Sequence, residues 1–147
     1  MPDSIRGSIV SLQICPGYRK PMNKVEKVNA ITNLGLEGDA HAIRDSSRQV
    51  LLIESETLDE LKLSAGEVKE NITTSGINLM RLRYGDRLNI GAVVLEVTKA
   101  CSPCSRMEDL RPGLKREIAG RRGMLARVID GGVLQRGEPI VLTERPR

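Results

Sequence analysis

Apolar and polar positions alternate along this chain in short stretches, and glycine or proline separates most of them. IRGSIVSLQI (5–14) alternates in part and is rich in β-branched residues, which predicts a first strand. Pro16, Gly17 and Pro21 then break the chain before VEKVNAI (25–31), which alternates as a half-buried strand does. NLGLEGDAHAIRDSSR (33–48) is polar and glycine-punctuated, the pattern of an irregular functional loop. QVLLI (49–53) is an apolar run with turn-like flanks, hence a buried strand. A helix is expected after it, capped by Ser55, spaced by LDEL and ended by Gly66. ENITTSGINL (70–79) reads as a short strand and a turn about Gly76.

Two later segments echo each other. YGDRLNIG (84–91) and RGEPIVLT (136–143) both set a Gly-acid turn before alternating apolar positions, as hairpins do. AVVLEVTKA (92–100) is the clearest strand, and it runs directly into CSPCSR. MEDLRPGLKREIAG reads as a helix broken by Pro112, after which MLARVI and a strand at 139–143 bracket the turn DGG. Short strands near 5–14, 25–31, 49–53, 86–98 and 124–143, with two weak helices, predict an all-β sandwich or barrel. No linker or repeat divides the chain, so residues 1–147 form one domain.

Composition narrows this picture. With no Phe, no Trp and two tyrosines, the core has to be aliphatic. A 39% hydrophobic and 29% charged chain has the balance of a soluble globular protein. The N-terminus MPDSIRGSIV carries no basic start with an apolar stretch, and no apolar run is long enough for a membrane span, which predicts a cytoplasmic protein. Three cysteines in such a chain suggest reduced thiols rather than a disulfide framework. The net charge of +4 favours anionic partners, phosphorylated cofactors and nucleic acids alike. Two tyrosines make a poor stacking platform for single strands, which sets nucleic acid last.

The chemistry concentrates in two places. Cys101 and Cys104 form a C-x-x-C pair at the end of the clearest strand. A thioredoxin-like site would need a βαβ context that the pattern lacks. A zinc site would need Cys15 and His41 as well, and these are isolated in sequence from the pair and from each other. The bland reading, one cysteine in the core and one in a loop, is the commoner fate of such a pair. Cys104 stands out because it follows Pro103 and lies beside Arg106: a thiol acts as nucleophile or soft metal ligand as the thiolate, which a guanidinium favours. The second place is GLEGDAHA, which gathers Gly35, Gly38, Asp39 and His41, and whose glycines would let backbone amides approach an anion. Its spacing is neither that of a Walker loop nor that of a dinucleotide fingerprint.

Taken in order, GLEGDAH (35–41), RQVLLIE (48–54), ENITTSGINL (70–79), YGDRLNIGAVVLEVT (84–98), CSPC (101–104) and RRGMLARVIDGGVLQRGEPI (121–140) resemble the MOSC family, named after the C-terminal domain of molybdenum cofactor sulfurases. The resemblance spans nearly the whole chain. It implies a MOSC-type β-barrel with a cleft for a pterin-type molybdenum cofactor (molybdopterin) or for a sulfur species bound for it. The family's key cysteine follows a proline after a long strand; that residue is Cys104 here, as catalytic residue and metal ligand, with Cys101 as its rival. Carried over by motif, Gly38, Asp39 and His41 shape the cleft, Arg48 and Asn71 face the cofactor, and Arg122 and Arg127 contact its phosphate.

Two functions follow from the resemblance. In one, Cys104 ligates molybdenum and the centre reduces N-hydroxylated small-molecule substrates, with electrons from a separate flavin or haem redox partner, since no redox-cofactor motif is visible in the chain. In the other, the domain is a sulfur carrier whose Cys104 accepts a persulfide from a pyridoxal-phosphate cysteine desulfurase. A basic nucleic-acid-binding barrel is the remaining alternative.

Overall fold

A computed structural model describes residues 5–146; the first four residues of the N-terminal segment read above lie outside the described residues. The strands are β1 (Arg6–Ile14), β2 (Asn23–Val25), β3 (Lys27–Ile31), β4 (Gly35–Leu36), β5 (Val50–Glu54), β6 (Ile72–Ser75), β7 (Arg87–Ile90), β8 (Val93–Ala100), β9 (Met124–Asp130), β10 (Gly132–Gln135) and β11 (Pro139–Glu144). Three short helices join them: α1 (Ser55–Glu60), α2 (Ser105–Leu110) and α3 (Leu114–Glu117). The main sheet runs β11-β7-β8-β9-β5-β6-β1-β2, and β1 also pairs with β11. That last pairing, Arg6 to Val141 and Ser8 to Pro139, closes seven strands into a barrel and removes its exposed edges. The protein is mainly β, a barrel rather than a sandwich.

The pairs are antiparallel except β5 with β6, which run parallel. A parallel neighbour needs a crossover, and α1 supplies it. The helix is shorter than the sequence predicts. Glu54, not Ser55, occupies the N-cap and makes no side-chain cap bond, and the helix stops at Glu60, with Lys62 already in a left-handed conformation. Inward positions alternate along the strands, so Leu12, Leu52, Ile72, Leu95, Val128 and Ile140 fill the barrel as an aliphatic core. The outer side carries a second cluster in which Met107, Leu114 and Ile118 of the α2–α3 segment pack on Ile53, Leu58 and Val68.

Three expected strands are divided in the structure. The stretch 25–31 breaks at Glu26, so that β2 joins the barrel and β3 joins a small sheet β10-β3-β4. The stretch 86–98 is a hairpin of β7 and β8. The stretch 124–143 holds three strands, and DGG is not a hairpin turn: β10 leaves the barrel there to pair with β3. Alternation along one strand does not reveal which partner it meets, and these breaks lie where the chain changes sheets.

The two Gly-acid turns are built alike. Gly85 N–H donates to Val97 O and Val97 N–H to Asp86 O; Gly137 N–H donates to Ile9 O and Ile9 N–H to Glu138 O. Each acid also accepts a backbone N–H three residues back, Arg83 to Asp86 and Gln135 to Glu138. The strands after these turns, β7 and β11, pair with each other. Asp86 does more, since its buried carboxylate takes Arg145 in a 2.8 Å ion pair that ties down the C-terminal arm. Burial alone would raise this carboxyl, but hydrogen bonds from Arg145 and from the Arg83 N–H outweigh it and hold it below the ordinary aspartate value. A lowered folded-state value contributes stability that is present above the unfolded value and lost as pH falls through the folded one. Arg145→Ala is therefore expected to lower the urea midpoint at neutral pH. The gap to wild type should close in acid, as a paired series of melts would record.

Candidate functional site

The main site lies on the outer face of the barrel. Leu51 on β5 and Leu125 on β9 point outward, between inward-facing neighbours, and pack with Cys101 as a small apolar floor. Above it is a cavity of about 180 Å³ lined by His41, Arg48, Lys69, Asn71, Cys104, Arg106, Met107 and Arg122 together with that floor. A groove of about 480 Å³ adjoins it, sharing Lys69, Arg106 and Met107 and extending to Tyr18 and Leu110.

Local folding explains how each group arrives. The end of β8 is held by Cys101 N–H donating to Gly123 O at 2.9 Å. Gly123 has φ 114°, and a Cβ there would run into the Leu52 carbonyl, so glycine is needed where β9 starts against β5. The neighbouring Arg122 is thereby brought beneath the cavity. Cys101 stays buried at the strand end, while Cys104, past Pro103 at the N-cap of α2, is exposed. Met107 anchors α2 in the outer cluster, and Arg111 Nη1 donates to Leu61 O at 2.7 Å, which fixes this segment over the α1 region. The loop before β5 is held by the buried Gln49, whose Nε2 donates to Ile43 O and whose Oε1 accepts Val128 N–H.

Among the described residues four cations, Arg48, Lys69, Arg106 and Arg122, line the cavity, and no carboxylate does. Arg122 is 5% exposed. Its Nη2 donates to Val68 O at 2.7 Å, whereas its Nε and Nη1 have no partner among the described residues. Glu70 is buried nearby and is charge-coupled to Arg122. Burial pushes the Glu70 carboxyl up, against hydrogen bonds from the Gly66 N–H and the Thr73 hydroxyl and against the Arg122 charge. A buried guanidinium with two unpartnered nitrogens beside a cation-lined cavity suits an anion.

The structure brings His41, Arg48, Asn71, Cys104 and Arg122 together, with Lys69 and Arg106 added. Gly38 and Asp39 do not line the cavity. Gly38, with φ 82°, turns the chain behind it, and the buried Asp39 carboxylate holds Cys15 N–H, His41 N–H and Asn71 Nδ2. Arg127 is apart as well: it pairs with Glu96 at 2.9 Å, and Glu96 also takes Arg87. Cys15 is buried away from the cavity, its thiol donating to Gly17 O. No three His, Cys, Asp or Glu side chains converge as metal ligands among the described residues, so the four candidate zinc ligands are not assembled. Lys69 could not be singled out in a chain with so many cations; a left-handed backbone (φ 68°) sets it beside Asn71.

Asn71 has little left to offer a ligand. Its Oδ1 accepts Leu51 N–H, and its two Nδ2 protons go to Gln13 O and Asp39 Oδ1. It thus ties together β5, the end of β1 and the His41 loop, and acts on the site through them. Asn71→Ala would leave buried backbone groups of Leu51 and Gln13 unpaired, at a cost of about 2–4 kcal/mol. Urea unfolding should show that loss.

A small closed barrel with a cation-lined, thiol-bearing cleft at the end of a long strand is the class that this geometry defines. The chain belongs to the MOSC domain family, whose model matches residues 37–141. Its fold is shared by the YUAD protein from Bacillus subtilis, at TM-score 0.79 and 17% identity over 97% of this chain and 99% of that one. YiiM from Geobacillus stearothermophilus aligns at TM-score 0.77 and 23% identity over 95% of this chain and 76% of that one. YiiM from Escherichia coli aligns at TM-score 0.71 and 22% identity over 97% and 71%. Among curated proteins, none matches this chain. No helix among the described residues is long and apolar enough to cross a membrane.

Proposed function

We propose that this protein binds a pterin-type molybdenum cofactor through Cys104 and reduces N-hydroxylated compounds in the cytoplasm, with electrons from a separate flavin or haem protein. The observation that carries this reading is one cavity lined by both the exposed Cys104 and the buried Arg122, whose Nε and Nη1 have no partner among the described residues. The donor set fits such a group: a soft thiolate suits the metal, and Arg122, Arg48 and Lys69 suit a phosphate. At about 180 Å³ the cavity holds roughly six water volumes and takes only part of a pterin cofactor. The adjoining groove, with Lys69 and Arg106 at the junction, supplies the remaining room.

When bound, the cofactor supplies two-electron redox chemistry at a metal. The chain's own residues bind and orient: Cys104 ligates, Arg122 and its fellow cations neutralise the anionic parts, and Leu51, Leu125 and Met107 exclude water from one wall. The exposure of Cys104 favours a second reading, in which the thiol accepts a persulfide directly from a cysteine desulfurase. Metal analysis and intact mass of protein made in a host that synthesises the cofactor decide between them. Stoichiometric molybdenum supports the first, sulfane sulfur on Cys104 without metal supports the second, and neither one overturns both.

A further inference from the structure

His41 is the chain's one histidine and lines the same cavity as Cys104. Its ring is half exposed, and its Nδ1 lies 3.7 Å from Oδ2 of Asp39, whose carboxylate has no solvent exposure. That carboxylate is itself held fast. Its Oδ1 accepts Cys15 N–H at 2.7 Å and Asn71 Nδ2 at 3.2 Å, and its Oδ2 accepts the His41 N–H at 3.2 Å. The imidazole thus has Nδ1 at ion-pair rather than hydrogen-bond distance from a fixed carboxylate, with Nε2 on the opposite edge of the ring.

The remaining groups around the cavity leave it a distinct role. The other charged groups are the cations Arg48, Lys69, Arg106 and Arg122, and among the described residues no carboxylic acid lines the space. Cys104 is committed as ligand and Cys101 is packed into the floor. An imidazole is the side chain suited to give and regain a proton near neutral pH.

We propose that His41 is the general acid of the reductive reaction and that Asp39 positions it; this rests on the cofactor-dependent reading above. For a hydroxylamine-type substrate R–NH–OH, the N–O bond breaks as two electrons arrive from the flavin or haem donor. Nε2–H of His41 protonates the departing hydroxyl oxygen, which leaves as water. The nitrogen takes a second proton from solvent to give R–NH2, and solvent reprotonates His41. Two electrons and two protons are consumed for one amine and one water.

The test uses wild type and His41→Gln, both loaded with cofactor and supplied with an aromatic amidoxime and reduced methyl viologen. His41→Gln should lower kcat by about a hundredfold, the usual scale for losing a general acid, with KM changed less than about threefold. The kcat–pH profile of wild type should carry a limb that the variant lacks. A second measurement needs no cofactor: because there is one histidine, its ring Cε1–H signal in NMR is unambiguous. That signal should shift when limiting iodoacetamide labels Cys104. If loaded wild type reduces the amidoxime and His41→Gln matches its kcat and pH profile, the role of His41 is overturned while the parent reading stands. If the ring signal ignores the Cys104 adduct, the role is overturned too. Loaded wild type that reduces no N-hydroxylated probe overturns the reading and the proposed step with it.

Discussion

Cys104→Ser, made in a host that synthesises the cofactor, should melt with the wild type and carry no molybdenum. The side chain is exposed at the N-cap of α2 and makes no cap bond, so a serine there removes no packing and no hydrogen bond. Exposed substitutions of this kind change stability by about half a kcal/mol or less. The loss falls on the ligand, because a neutral hydroxyl does not replace a soft thiolate. Cys101→Ser should show the opposite balance: it sets a hydroxyl among Leu51 and Leu125, lowers the melting temperature, and keeps most of the metal. Metal content by mass spectrometry and thermal melts of both variants make the comparison. Molybdenum lost from Cys101→Ser and retained in Cys104→Ser would transfer the ligand role to Cys101.

Arg122→Met should weaken cofactor loading by roughly tenfold to a hundredfold, the scale of one or two charged hydrogen bonds at about 1.5–3 kcal/mol each. Methionine keeps an unbranched stem of similar reach. Stability of the cofactor-free barrel should change little: the hydrogen bond to Val68 and the attraction to Glu70 are lost, but so is the cost of burying a cation with two free N–H groups. Were Arg122 present only as counter-charge to Glu70, the variant would instead lose about 3–5 kcal/mol, the cost of stranding a buried charge, and load normally. Loading and urea unfolding measured on the same preparation separate these outcomes.

Which residues share the cavity was more legible in the sequence than what each of them holds. His41, Arg48, Cys104 and Arg122 do share a cavity although the chain separates them widely. Asp39 and Asn71 belong to the same constellation, but their polar atoms turn inward and hold the backbone. A polar side chain beside a ligand site and one supporting it look alike in sequence, since the difference is where its hydrogen bonds go. Arg127 shows the same limit from the other direction: Arg122 and Arg127 read alike as phosphate contacts, yet pairing across β8 and β9 sets Arg127 opposite Glu96.

By itself the sequence determined the aliphatic, mainly β character of the protein, the exposed loop position of Cys104 and the paired Gly-acid turns, because alternation, proline breaks and glycine turns act within a few residues. Only the tertiary structure decided that β1 closes on β11, that β3 and β10 leave the barrel for a sheet of their own, and that Lys69 joins the site. It also decided that Arg122 is buried with free N–H groups while Arg127 is neutralised. Those outcomes depend on which strands meet and in what register, and register is set by partners far away in the chain.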